Sequence, residues 1–349
     1  MVDTADKRDR TVRWPITREG KEVIPISQVA QGIYAVGPLQ SFPLSPNAPY
    51  LVVGNEWCAI VEPGDAHQPH TLLEAIKEIG VDQNCIRYII PSHIHIHHCS
   101  AINVLLKEIP DSKVVVHPTA VRNLMDPTKL NQSTKGIFGV RTCPTLDPVP
   151  EDRIMPVRDG TVLDLGGREL EIFHAPGHAT HHIAIFDHLT RALWPGDNIS
   201  FNNVATKRGR VGIAAPMFDA DAAVETFRRL RALHPSMLLS WQGSLAFYPA
   251  DHYLHTAEDD LIATTDIIHE GMKQKKTAEE IQADIKAYHD SLGIVITEQE
   301  EYEQQGRIPV GLVNWLKKKY PELEAPAGMK GDTTRERNQQ AISGETSAA

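Results

Sequence analysis

Long apolar runs are missing from this chain. No stretch approaches the roughly 18 consecutive apolar residues of a membrane-spanning helix. The opening residues, MVDTADKRDRTVRWP, are charged and lack the apolar segment of a secretory signal. Cysteine is scarce: Cys58, Cys85, Cys99 and Cys143 show no CxxC spacing and suggest no disulfide framework, so a reduced, cytoplasmic setting is expected. Positive charge is in deficit, with 35 Lys and Arg against 45 Asp and Glu and a formal net charge of −10. Nucleic acid is therefore not the expected partner, because phosphate binding needs a basic face. No internal repeat is visible, and no membrane partner is expected. What remains is a 349-residue chain of ordinary globular composition, 41% hydrophobic and 23% charged, long enough for one large domain or two.

The apolar residues fall into short strands and amphipathic helices. YLVVGNEWCAIVE (50–62) is two apolar runs about Gly54-Asn55 and predicts a hairpin. In TLLEAIKEIG, Leu72, Ala75, Ile76 and Ile79 share a helical face that Gly80 closes. Strands are predicted at RYII (87–90), KVVVH (113–117), ELEIFH, IAIF (183–186), ALW (192–194) and MLLS (237–240), with helices at AINVLLKEI and 221–233. After residue 250 the chain turns helical. Thr277 and Glu280 form a capping box ahead of Ile281, Ile285 and Tyr288, and GLVNWLKKKY is a further helix. Sheets covered by helices are the expected α/β architecture. The expected divisions are an arm over 1–24, a main domain over 25–250, a helical extension over 251–322 and a disordered tail over 323–349, which has few apolar residues.

Histidine is what the chain has in excess, and it clusters at strand ends. PSHIHIHHC carries His93, His95, His97 and His98 straight after RYII. HAPGHATHH carries His174, His178, His181 and His182 after ELEIFH, and LWPGDN carries Asp197. In extended chain, alternate side chains point to the same side, so His93 and His95 can reach one ion together. His98 joins them only if the chain has turned, as at a helix start. Zinc takes imidazole nitrogen and carboxylate oxygen, usually four ligands, with one position left to water in an enzyme.

These three motifs, in this order and spacing, resemble those of the metallo-β-lactamase-fold hydrolases. That family's first signature is His-x-His-x-Asp-His, its second Pro-Gly-His and its third Gly-Asp after a strand. Here they read HIHIHH, Pro176-Gly177-His178 and Gly196-Asp197. VHPTAVRNLMDPTKL and DGTVLDLGGREL are similar to an uncharacterised hydrolase subgroup that carries a helical C-terminal extension. The resemblance implies an αββα sandwich with the site at one edge. It implies His93, His95 and His178 as a three-histidine metal site, Asp197 as a carboxylate bridging two metals, and His98 as a ligand of the second. The cofactor implied is zinc, one ion firmly held and a second uncertain, with iron or manganese as alternatives.

Two departures from the pattern stand out. His97 replaces the aspartate that binds the second metal, and Trp241-Gln242 stands where the family places a histidine after the last core strand. Neither Trp nor Gln is an ordinary metal ligand. The expectation is one complete site and one impaired site, with His97 and Asp197 as the catalytic candidates and His181 and His182 either orienting other ligands or substituting for the missing one. Cys99 reads as a small buried thiol, Asp65 as support from a neighbouring turn, and His67 and His70 as surface residues. Phe218, Trp241 and Tyr248 are candidates for a pocket wall or for core. The helical extension is expected to cover the site or to form a homo- or hetero-oligomer contact. The implied function is a metal-dependent hydrolase acting on a small ester, lactone, thioester or activated ether. The alternatives are an iron-dependent oxidoreductase on the same fold and a non-catalytic or regulatory subunit paired with a related chain whose motif is intact.

Overall fold

The structure, a computed structural model, describes residues 17–18, 21–22, 24–37, 47–138, 144–199, 201–203, 208–213, 217–240, 249–294 and 309–329. A short antiparallel ribbon, β1 (Thr17–Arg18) and β2 (Lys21–Glu22), lies in the N-terminal arm. Seven strands then join one sheet in chain order: β3 (Ile26–Ala30), β4 (Ile33–Val36), β5 (Tyr50–Val53), β6 (Cys58–Val61), β7 (Ile86–Ile90), β8 (Lys113–Val116) and β9 (Ile154–Pro156). Pairing is antiparallel as far as β6 and parallel from β6 to β9. Parallel neighbours need a crossover long enough to return the chain. Helices make those crossovers: α1 (Pro69–Ile79), then α2 (Ile96–Cys99) and α3 (Ile102–Glu108), then α4 (Val121–Met125) and α5 (Thr128–Phe138).

The second sheet has five strands. β10 (Thr161–Asp164), β11 (Glu169–His174), β12 (Ile183–Asp187) and β13 (Ala192–Trp194) are antiparallel neighbours. A ribbon of β14 (Phe201–Asn203) and β15 (Arg208–Arg210) follows, then helix α6 (Ala220–Ala232), before β16 (Met237–Leu238) adds parallel to β13. The C-terminal helices are α7 (Ala250–Lys273), α8 (Ala278–Ser291) and α9 (Val310–Lys319). No helix among the described residues is long and apolar enough to cross a membrane.

The period-2 alternation of the strands explains the layering. Ile183 and Ile185 of β12 face the other sheet and share a core with its Val52 and Ile90 and with their own neighbour Trp194 of β13, while Ala184 and Phe186 face outward against Phe227 and Leu230 of α6. In the seven-stranded sheet Leu51, Ile60 and Ile89 face Leu72, Ile76 and Leu105 of α1 and α3. The central strands β5, β6, β12 and β13 are therefore buried on both faces and read as continuous apolar runs, whereas β3, β10 and β11 keep partly exposed positions. The expected αββα sandwich is what the chain forms. Each fully buried Ile or Leu contributes about 1.5–3 kcal/mol of transfer free energy.

The helices end where the sequence predicts. Pro69 opens α1, and Gly80, at φ 83°, closes it in the left-handed region that glycine adopts without strain. Thr277 and Glu280 make the reciprocal capping box of α8. The extension is continuous with the main domain. Leu254 and Leu261 of α7, Ile281 of α8 and Leu312 of α9 pack into the same core as Phe186 and Phe227. The boundary expected at 323 falls inside packed chain. Leu323 is buried, Met329 packs on the same core, and the Ala278 amide donates to Ala327 O at 2.8 Å. Residues 330–349 lie outside the described set.

Candidate metal centre

The histidine segment follows the C-terminal end of β7. Its backbone is extended at His95 (φ −63°, ψ 143°) and turns into α2 at Ile96, so His93 and His95 leave the extended part while His97 and His98 leave the helix. His178 arrives from the loop between β11 and β12, and Asp197 from the short 3-10 turn Gly196–Ile199 after β13. The two sheets thus deliver their ends to one place. His93 Nε2 lies 2.8 Å from His95 Nδ1, which lies 3.0 Å from His178 Nε2. Asp197 Oδ2 stands 3.9 Å from His93 Nε2 and 3.5 Å from His178 Nε2. Its other oxygen, Oδ1, faces His98 Nε2 at 3.4 Å, and Oδ2 also faces His97 Nε2 at 3.9 Å. Two sets of donors therefore share one carboxylate: His93, His95 and His178 with Asp197, and His97 and His98 with Asp197.

The first set fits a cation. Ligands at bond lengths near 2 Å around a tetrahedral ion stand roughly 3.3 Å apart, and the donor atoms here all lie within 4.8 Å of one another. Two of the imidazoles are also held from behind. His178 Nδ1–H donates to Gly212 O at 2.7 Å, and His93 Nδ1 pairs with Ser92 Oγ at 3.0 Å. His178 therefore turns the lone pair of Nε2 toward His95, an arrangement that needs a proton or a cation between the nitrogens. The second set is looser: it has three members, and the His97 side chain is 16% exposed.

The turns that present these groups are tightly built. Gly177 (φ 143°) packs so closely on α6 that a Cβ there would sit 2.6 Å from Ala223 Cα. Thr226 Oγ1 donates to Pro176 O at 2.6 Å, and the Asp219 amide donates to Gly177 O at 2.9 Å. Gly196 (φ 53°) runs against His182, where a Cβ would come 2.5 Å from Nε2. His182 in turn accepts the Asp197 amide at 3.1 Å and contacts Asn198 Nδ2 at 3.2 Å, so its contacts in the site run to Asp197 and Asn198. His181 is buried beside the site, its ring 6.2 Å from that of His93.

Glu62 is the residue that sequence reasoning missed. It follows β6 with a left-handed backbone (φ 54°), buried, and its Oε2 accepts His98 Nδ1–H at 2.9 Å and the Ser92 amide at 3.2 Å. A strained non-glycine residue buried with an acid side chain is a mark of a functional site. The signal was an acid closing an otherwise wholly apolar strand in CAIVE. Asp65, expected to support the site, accepts the His67 amide at 2.8 Å and faces its ring at 3.0 Å. The turn containing it is tied to the histidine segment through the Ala66 amide on Ser100 Oγ (3.0 Å) and the Ala101 amide on Gly64 O (3.1 Å). Cys99 is buried and donates its thiol to Ile94 O. His67 and His70 are exposed. Phe218 belongs to the core beneath α6, and Trp241, Gln242 and Tyr248 lie outside the described residues. Glu62→Gln keeps the shape but removes the charge that orients His98. We expect affinity at the second donor set to fall about 10–100-fold, the usual effect of losing such an outer partner. Metal titration calorimetry should show that loss with the first set unchanged.

The electrostatics separate the two sets. Burial, together with crowding by neighbouring imidazoles, holds His93, His95 and His182 well below the usual histidine range and lowers His178. Burial also opposes the charge on His98, but Glu62 and Asp197 outweigh it and raise that group to about 9. Asp197 is likewise opposed by burial, yet His98 and His178 outweigh it and hold the carboxyl well below its usual range. At neutral pH the first set therefore offers free lone pairs and an ionised carboxylate, whereas His98 must lose a proton before it can ligate. For the metal-free protein the sign of the linkage follows. Four imidazoles with lowered pKa bind protons only after unfolding, so stability falls as pH drops below about 6.5, by up to about 1.4 kcal/mol per unit for each group. His98 acts oppositely: its contribution is complete below about 6.5 and is lost as pH rises through about 9. Melting temperatures in chelator should peak near neutrality. A flat profile between pH 7 and 5 would contradict this assignment.

A three-histidine and aspartate cluster able to hold a metal ion, set where strands of the two sheets of an αββα sandwich end, defines the class: a mixed α/β protein with a candidate metal site. The sequence model of the metallo-beta-lactamase superfamily matches residues 43–240, and the chain belongs to that superfamily. Among curated relatives it is 25% identical over 206 residues to the metallo-beta-lactamase fold-containing protein ST1585 of Sulfurisphaera tokodaii, covering 57% of this chain and 69% of that one. It is also 25% identical over 150 residues to hydroxyacylglutathione hydrolase of Aeromonas hydrophila, a match covering 43% of this chain and 45% of the hydrolase. The crystal structure of the metallo-beta-lactamase family protein TTHA1429 from Thermus thermophilus superposes with a TM-score of 0.61 at 16% identity, over 84% of this chain and 95% of that one. The structure of ST1585 superposes with a TM-score of 0.54 at 22% identity, over 67% and 86%. These two structures share the fold. The superfamily includes hydrolases and binds metal, as the donor cluster of this chain is able to do.

Proposed function

We propose that the protein is a metal-dependent hydrolase of a small acyl or related substrate: an ester, thioester, lactone or activated ether. The observation that carries this reading is the convergence of His93, His95, His178 and Asp197, with Asp197 Oδ2 facing His93, His178 and His97 and Oδ1 facing His98. His93, His95 and His178 would hold the first ion, zinc being the proposed metal. His98 and His97 would share a second, weaker position with Asp197. Such an ion supplies a water whose pKa falls from 15.7 to about 7, and it polarises the electrophile.

The chain's own groups do the rest. Asp197, ionised and pinned through its amide to His182, accepts a hydrogen bond from the attacking water and fixes its direction. His97, the most exposed of the clustered histidines that face Asp197, is placed to take that proton and return it to the leaving group. Glu62 keeps His98 oriented with Nε2 toward Asp197. The likeness to hydroxyacylglutathione hydrolase supports trying thioesters first.

The test is metal analysis of protein purified without added metal, followed by a panel of thioesters, nitrophenyl esters, lactones and activated aryl ethers with Zn²⁺, Mn²⁺ and Fe²⁺. One equivalent of zinc with turnover on any member supports the proposal. Inactivity with every metal would replace it with a non-catalytic subunit that pairs with an intact homologue. A second reading, an iron-dependent oxidoreductase, draws on a 27% identical match over 131 residues to the coenzyme F420H(2) oxidase of Methanothermobacter marburgensis, which covers 28% of that protein. Bound iron and a coloured preparation would favour it.

A further inference from the structure

The C-terminal helices enclose a buried polar cluster that the hydrolytic reading does not use. Asp260 of α7 accepts from His289 Nε2–H of α8 at 3.0 Å and from Arg210 Nε–H of β15 at 3.3 Å. All three residues are at most 5% exposed. A buried charged pair is held only at a desolvation cost, and breaking one partner away is strongly destabilising. Hydrophobic residues of similar size would serve packing alone at least as well. Packing alone does not account for the cluster, and its position beside β15 points toward the candidate metal centre.

β15 lies directly on the backbone of α7. A Cβ at Gly209 would come 2.6 Å from Tyr253 O, and the Gly209 amide donates to Thr256 Oγ1 at 3.1 Å. Two residues past Arg210, Gly212 makes two contacts with the candidate metal centre. Its amide donates to Asp197 O at 3.0 Å, and its carbonyl accepts His178 Nδ1–H at 2.7 Å. A continuous path of hydrogen bonds and one short peptide segment thus runs from His289 through Asp260 and Arg210 to two members of the first donor set. We propose that Arg210, Asp260 and His289 are positioning residues through which the helical extension sets the orientation of His178 and Asp197. This rests on the metal-site reading above. It gives the extension a role inside the site, distinct from covering it or making an oligomer contact.

The test uses the full-length protein loaded with Co²⁺, whose visible absorption reports ligand geometry, together with chelator competition for Zn²⁺. His289→Leu removes the donor to Asp260, and His289→Gln restores an N–H at similar reach. Leu312→Ala, in α9 of the same core, is the packing control. The expected result is Zn²⁺ affinity lowered by up to about 10-fold in His289→Leu, the lower end of the scale for losing a direct outer partner of a metal ligand because His289 acts through Asp260, Arg210 and Gly212, with a shifted Co²⁺ band. His289→Gln should recover both, and Leu312→Ala should lower the melting temperature while leaving the band in place. Should His289→Leu fail to fold, Asp260→Asn, which keeps the hydrogen-bonding shape, is read in the same way. An unchanged band and affinity in the His289 or Asp260 variant, with wild type binding metal normally, would overturn this inference alone. Wild type that binds neither ion would overturn the metal-site reading as well.

Discussion

His93→Ala should leave the protein with less than about a tenth of an equivalent of metal, and no detectable turnover on any substrate the wild type accepts. Three features make this the largest effect expected of a single substitution. His93 lies at the centre of the imidazole cluster, with its ring within 4.1–5.0 Å of those of His95, His98, His178 and His182. It is 1% exposed, so no water stands ready to replace its nitrogen. Its Nε2 also stands 3.9 Å from Asp197 Oδ2, the carboxylate that both donor sets share. Because binding to the folded state adds to folding free energy, a ligand at about 1,000 times its Kd stabilises by about 4 kcal/mol. Metal-loaded wild type should therefore melt on the order of 10 °C above its chelated form. The His93→Ala protein should melt at the same temperature with and without chelator. Metal analysis and paired melting curves check both halves. A variant that keeps its ion would show that His95, His178 and Asp197 suffice.

His97 carries the second large effect. Its Nε2 is 3.9 Å from Asp197 Oδ2, and it is the member of the second donor set that reaches solvent. If it moves the proton of the attacking water, His97→Ala should lower kcat about 10²-fold or more, the usual contribution of a general acid–base group, with KM little changed. His97→Asp supplies a hard anionic ligand beside His98 and should raise occupancy of the second position toward one equivalent. Stopped-flow rates on the alanine variant and metal counts on the aspartate variant separate the two roles. A gain of activity in His97→Asp over an inactive wild type would favour the subunit reading.

Much of this architecture could be read in the sequence, and the physical reason is periodicity. Hairpin 50–62, strand 183–186 and the capped helix at Thr277 are local patterns, and each formed because local preference and burial agree. The joining of sheet to sheet was legible only through resemblance, since no spacing announces that a loop after β11 meets one after β7. Two groups that orient the site escaped notice for different reasons. Glu62 looked like the polar end of a strand because its function depends on a φ and a depth that one-dimensional pattern does not carry. Gly212 acts through its backbone carbonyl and amide, which are not peculiar to glycine, so no side chain could have marked it. The extension was legible as helix but not as a partner of β15, because Arg210, Asp260 and His289 are widely separated along the chain.

The site draws one group of donors from the seven-stranded sheet and the other from the five-stranded sheet, and His95 and His178 are 83 residues apart in sequence. An ion bridging them would act on the unfolded chain as a crosslink does, closing a loop whose entropy the folding polypeptide must otherwise lose unaided. Metal present during folding would then favour the docking of the two halves of the sandwich, a step of long sequence separation and so intrinsically slow. Refolding from denaturant should be faster and less prone to aggregation with metal present throughout than with metal added after the sheets have met.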